Sequence, residues 1–163
     1  MRYWIIISLL FSVANSQAQK LNLSELRELY IEASFEEDKA NKLYELTKNS
    51  SIERGYKNFT YHAIAILLQS KFYVNPIHKL KSFAKGKEQL EKVISQYPKD
   101  IELRFLRFCV QDGTPTILDY KLNMEEDSQF IKNNISTSSE ELQQFIMPIF
   151  KTLNDGRTSY TGR

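Results

Sequence analysis

The residues best equipped for chemistry in this chain are two arginines and a glutamine in the stretch QYPKDIELRFLRFCVQ, residues 96–111. On a helical wheel at about 100° per residue, Arg104, Arg107 and Gln111 form one narrow polar edge. Ile101, Phe105 and Phe108 gather elsewhere with Cys109 beside them, and Leu106, Val110 and Leu103 carry the apolar surface round to the far side. A helix apolar over most of its circumference is buried on several sides. Guanidinium groups there need partners, because an unpaired buried charge is very costly. Two arrangements supply them. In one, Arg104 and Arg107 pair with carboxylates of the same chain, for which Asp119, Glu126 and Asp127 lie nearest in sequence. In the other, the edge lines a groove, and the rigid donor forks hold a small anionic ligand or a lipid headgroup. Charged networks inside folds are common, so internal pairing is the expected arrangement.

The remaining polar groups do not assemble into a reaction centre. His62 and His78 are the only histidines, and neither has a second ligand at metal spacing. Glu125, Glu126 and Asp127 could suggest paired carboxylates for hydrolysis. At the start of a helix, however, the dipole accounts for the same run without catalysis. Gly86 and Gly113 are isolated and build no phosphate-cradling loop. Cys109 is the one cysteine, which excludes an intramolecular disulfide. In the apolar setting RFCVQ it reads as a small packed hydrophobe. A net charge of +2 without a basic tract leaves no footprint for nucleic acid. No catalytic residue, metal or cofactor is expected.

Helices must position the arginine edge, because glycine and proline are scarce and apolar residues recur every three to four positions. Asn22 with Glu25 makes a capping-box start for a first helix along Leu23, Leu26, Leu29, Tyr30 and Ala33. Ser34 with Glu37 repeats the signal for a second, through Leu43, Tyr44 and Leu46. A long third helix runs from about Ile52 to Val74, apolar nearly all round in its second half, with Tyr56, Phe59 and Tyr61 partly exposed near its start. Pro76 ends that helix and opens a fourth, to Gln96. Asp100 caps the helix that bears the arginines. Residues 112–123 read as a loop holding at most one helical turn. Asn123 with Glu126 starts a sixth helix, and STSSEELQQF opens a seventh, kinked or restarted near Pro148. The fold class is all-α, built of stacked antiparallel hairpins.

The N-terminus has a different character. Arg2 precedes an apolar run from Tyr3 to Leu10, followed by the small residues Ala14, Ser16 and Ala18. That order is a secretory signal, and its core is shorter than the roughly 20 residues of a membrane span. Residues 1–18 are therefore assigned as signal peptide, 19–154 as one helical domain and 155–163 as a flexible polar tail. The expected location is periplasmic or extracellular.

The stretch FAKGKEQLEKVISQYPKD resembles the second helix of a tetratricopeptide-type repeat, with Gly86 small, Leu90 large, Val93 intermediate and Pro98 terminating. No second copy occurs at the repeat period, so any such stacking is irregular. Residues 97–131 resemble a group of uncharacterised secreted bacterial proteins, in the Arg-x-x-Arg helix, the Pro-containing loop and the acidic helix start. The resemblance implies export and a degenerate tetratricopeptide-like fold, and nothing about mechanism. The expected function is a protein-interaction scaffold or adaptor that binds another protein or peptide. The alternative is an anion or headgroup binder using Arg104 and Arg107.

Overall fold

A computed structural model describes residues 22–161, so the expected signal segment lies outside the described residues. Seven α-helices follow one another: α1 Leu23–Ala33, α2 Glu37–Thr47, α3 Ile52–Phe72, α4 Pro76–Gln96, α5 Ile101–Gly113, α6 Met124–Asn134 and α7 Glu140–Thr161. Short 3-10 turns at Thr116–Leu118 and Ile135–Thr137 precede and follow α6, and the described residues contain no strand. The all-α class read from the apolar period is the observed one.

Local chemistry sets most helix starts. The Asn22 carboxamide oxygen accepts from the Ser24 N–H at 3.1 Å, and Asn75 accepts from Ile77 and His78 with Pro76 at the first helical position. Asp100 accepts from the N–H groups of Glu102 at 3.0 Å and Leu103 at 3.2 Å. Each satisfies donors that the first helical turn leaves without partners. Two expected caps are corrected. The Ser34 hydroxyl donates back to the Tyr30 carbonyl at 2.9 Å, which ends α1; α2 begins three residues later with no side-chain cap. Serine can bond the preceding turn as readily as the following one, so its presence did not fix the direction. Asn123 likewise does not cap α6, because its side-chain oxygen accepts from Gln111.

The odd-numbered helices form the centre. α1 touches α3, α3 touches α5, and α5 touches α7, while α2 and α4 lie against α3 and α6 lies against α5. The series closes on itself through aromatic rings. Tyr30 of α1 meets Tyr61 of α3 at 6.4 Å and Phe145 of α7 at 6.1 Å, and Phe145 meets Phe105 of α5 at 5.4 Å. These edge-on pairs add to the burial energy of the rings themselves. α7 thus packs against both α1 and α5 through Phe145. Tyr61, expected to be partly exposed, is fully buried in this cluster, whereas Tyr56 and Phe59 are half-buried.

α7 is one helix through Pro148 and continues to Thr161, past Asp155 where a polar tail was expected. Proline removes one backbone hydrogen bond. The burial of Phe145, Ile146 and Phe150 on both sides of it holds the helix together. Gly86 sets the spacing of α3 and α4: a Cβ there would lie 2.6 Å from Leu67 Cγ and 3.0 Å from the Ala63 carbonyl oxygen.

Candidate functional site

α5 carries the arginine edge, and α6 brings its partners. The Asp127 carboxylate is fully buried and accepts from Arg107 Nε and Nη2, both at 2.7 Å, in a two-pronged pair. It also accepts from Arg104 Nη1 at 2.8 Å. The same Arg104 nitrogen reaches the exposed Glu126 at 2.7 Å, while Arg104 Nε donates to the Pro98 carbonyl at 2.8 Å. The Arg104 guanidinium also covers the Phe130 ring, 5.0 Å from its centre. Arg107 Nη1 donates to Glu91 of α4 at 2.9 Å, and the buried Tyr120 hydroxyl donates to the same carboxylate.

Of the three nominated partners, Glu126 and Asp127 are in place and Asp119 is not. Asp119 is exposed, takes a left-handed conformation at φ 44 behind the 3-10 turn, and makes no ion pair with either arginine. Gln111 is fully buried and gives one long hydrogen bond, 3.4 Å, to Asn123. Its carbonyl oxygen meets no donor among the described residues.

Two guanidiniums therefore face three carboxylates, Glu91, Glu126 and Asp127, and the cluster carries a net negative charge before any guest arrives. Burial opposes the Arg107 charge, yet Asp127 and Glu91 more than restore it and leave the pKa raised. The hydrogen bond from Arg104 holds Glu126 below the usual carboxylate range. An open depression of about 220 Å³ borders the cluster, walled by Glu91, Ser95, Pro98, Arg104, Arg107 and Glu126.

A second network, not anticipated from sequence, centres on Glu102 at the start of the same helix. This carboxylate is fully buried. It accepts from Arg27 Nε at 2.8 Å and Nη2 at 3.0 Å, from Lys57 Nζ at 2.7 Å and from the Tyr61 hydroxyl at 2.8 Å. Lys57 also reaches Asp100 at 3.0 Å, Tyr56 donates to Asp100 at 2.9 Å, and Arg27 continues to Glu141 of α7. One carboxylate thereby joins α1, α3 and α5 directly and α7 through Arg27. Burial pushes the Glu102 pKa up; the Arg27 hydrogen bonds and the Lys57 charge outweigh it, so the net shift is downward. Tyr61 is raised well above the ordinary phenol value by burial and by Glu102. A signal for this centre exists: Glu102 precedes Phe105, Leu106 and Cys109 by three, four and seven positions, which places a carboxylate on the apolar face.

α5 thus fastens two layers, the odd-numbered helices through Glu102 and the flanking α4 and α6 through its arginines. His62, Cys109 and His78 lie outside both networks. His62 is buried against Tyr44, with Thr47 Oγ1 3.4 Å from Nδ1, and burial followed by the nearby Lys85 lowers its pKa. Burial pushes the Cys109 thiol up to about 12. His78 is exposed in the first turn of α4. No cluster of metal-ligating side chains occurs among the described residues, and no described helix is long and apolar enough to cross a membrane. Comparison with family models, curated proteins and solved structures returns no match.

Proposed function

We propose that this chain is an exported helical adaptor that binds another protein or peptide through the loop between α5 and α6. One observation carries the reading: that loop is anchored, yet it presents two large apolar side chains to water. Its anchor is Tyr120, which is buried, gives its hydroxyl to Glu91 and meets the Phe83 ring edge-on at 6.0 Å. The Lys87 ammonium sits 4.6 Å from the centre of the Tyr120 ring. On either side of this anchor, Ile117 is 91% exposed and Leu122 is 86% exposed. A loop already held in shape loses little freedom on binding, and apolar groups on such loops serve recognition. The N-terminal order of charge, apolar core and small residues supports export. The hairpin order of the helices supports a tetratricopeptide-like scaffold by analogy of fold alone.

The second reading, an anionic ligand or lipid headgroup on Arg104 and Arg107, is favoured by the depression that both residues wall. It is the weaker one, since a guest must compete with Asp127, Glu126 and Glu91 for the same donors. The adaptor reading is tested by placing a photo-crosslinking residue at Ile117 or Leu122 and illuminating cells that export the chain. One reproducible protein adduct is expected from both positions and none from the exposed Glu28 on α1. Identical adduct patterns from all three positions would remove the loop as the contact.

A further inference from the structure

The end of the α3–α4 hairpin stands clear of the rest of the fold. α3 and α4 each run 21 residues, α3 with a kink at Gly55, against 11 for α1 and α2. Lys71 Nζ donates to the Ser34 carbonyl at 2.7 Å, which marks where the α1–α2 turn meets α3. From Tyr73 to Lys81 every residue is exposed, and the first buried position of α4 is Gly86. Three of these residues are large aliphatics: Val74 at the turn, 97% exposed, and Ile77 and Leu80 on α4, 62% and 52% exposed. Ile77 and Leu80 are three apart and share one face of the helix.

The charge around them has one sign. Lys71, Lys79, Lys81, Lys85 and Lys87 fall within this segment, and no aspartate or glutamate occurs from Lys71 to Lys87. Lys71 is engaged at Ser34 and Lys87 lies over Tyr120, whereas Lys79, Lys81 and Lys85 have no carboxylate partner among the described residues. Glu36, Glu37 and Asp38 stand at the start of α2, just after the α1–α2 turn that Lys71 meets, and Glu32 is occupied by Lys39 at 2.6 Å.

We infer that this hairpin end docks on an anionic lipid surface. Val74, Ile77 and Leu80 enter the boundary between headgroups and acyl chains, and Lys79, Lys81 and Lys85 meet the lipid phosphates. Exposed apolar groups ringed by lysines have this combined affinity, through apolar burial and attraction to negative headgroups. The shape favours lipid over a folded partner. A protruding turn presents little area, whereas a stable protein interface covers about 800 Å² per partner with matched relief. A bilayer surface deforms around a small convex tip. This contact is separate from the α5–α6 loop and does not depend on it.

The test is flotation of the full chain with vesicles of phosphatidylcholine, alone or mixed with phosphatidylglycerol. Binding is read as the difference between wild type and variants, which cancels any contribution of the apolar run Tyr3–Leu10. Wild type is expected to float with the mixed vesicles far more than with phosphatidylcholine alone, and to be released by salt. Each lysine near such a surface is worth about fivefold in affinity. Lys79→Glu with Lys81→Glu is therefore expected to weaken binding by about 25-fold or more, with an unchanged melting temperature. Val74→Ser with Ile77→Ser should weaken it to a similar or greater degree. Equal flotation of wild type and both variants would overturn the inference. So would a dimer in solution that the Val74→Ser, Ile77→Ser variant dissociates, which would assign the patch to a second copy of the chain.

Discussion

Replacing Glu102 by glutamine removes one charge and keeps the side chain's shape. If the carboxamide oxygen stays where Oε1 was, it still accepts from Arg27 Nε and the Tyr61 hydroxyl, at 2.8 Å each in the wild type. The new amide then faces Arg27 Nη2 and Lys57 Nζ, which lie 3.0 Å and 2.7 Å from Oε2, so donors confront donors. Flipping the amide moves the conflict to Arg27 Nε, which cannot accept, and costs the hydrogen bond that the Tyr61 hydroxyl donates. Arg27 is left with Glu141, which is largely exposed, and Lys57 is left with Asp100. Removing one member of a buried ion pair costs about 3–5 kcal/mol. At about 2–4 °C per kcal/mol for a chain of this size, the melting temperature should fall by about 6–20 °C. The pH dependence supplies a second reading of the same group. Glu102 has its folded pKa below its ordinary value of 4.5, so the unfolded state takes up its proton first as pH falls. Its stabilisation is present above that ordinary value and is lost as pH falls through the lowered folded value. Thermal melts of wild type and Glu102→Gln should differ by a constant amount near neutral pH and converge only as pH falls past 4.5 and through the lowered folded value. A melting temperature within about 1 °C of wild type near neutral pH would refute the reasoning.

Four further outcomes follow from the packing and from burial. Gly86→Ala adds a Cβ 2.6 Å from Leu67 Cγ and close to the α3 backbone, so overpacking outweighs the better helix propensity, and chemical denaturation should show a loss of about 1–3 kcal/mol. Gly156→Ala, with nothing within 4 Å of the added atom, should instead gain up to about 1 kcal/mol in the same assay. Cys109, with its thiol pushed up to about 12, should resist iodoacetamide at neutral pH in the folded chain and react on unfolding; equal rates would place the thiol in water. His62 has its pKa lowered by burial, so stability should decline as pH falls below the ordinary imidazole value of 6.5, and this decline should be absent from a folded His62→Gln variant.

What was legible in the sequence was local. Pro76 and Gln96 bound α4, Asp100 caps α5, and Glu126 and Asp127 reach the arginines because α6 follows α5 after one short connection. Asp119 was equally near in sequence, but it sits exposed at the left-handed residue that ends the 3-10 segment, and no composition rule reveals that geometry. Ser34 looked like the start of α2 and serves as the end of α1, since one hydroxyl suits either role. Glu102 was hidden for a different reason. Its partners Tyr61, Lys57 and Arg27 lie 41, 45 and 75 residues away, and only the closure of α1, α3 and α5 around the aromatic cluster brings them together. A carboxylate on an apolar helix face announces that partners exist without naming them. Glu91 was missed likewise, as it reaches Arg107 from α4 across 16 positions.

The central claim is that the arginine edge of α5 is an internal clamp whose partner is Asp127. A double-mutant cycle measures that directly, with Arg107→Ala, Asp127→Ala and the pair compared by urea unfolding. Each single change removes the two-pronged partner of a buried charge, leaving Asp127 with Arg104 alone or Arg107 with Glu91 alone, so each is expected to cost up to about 3–5 kcal/mol. The double variant is expected to cost less than their sum by about 2–3 kcal/mol, the coupling of groups in direct contact. Costs that add without coupling, or an Arg107→Ala variant as stable as wild type, would contradict the account and return Arg107 to the service of a guest.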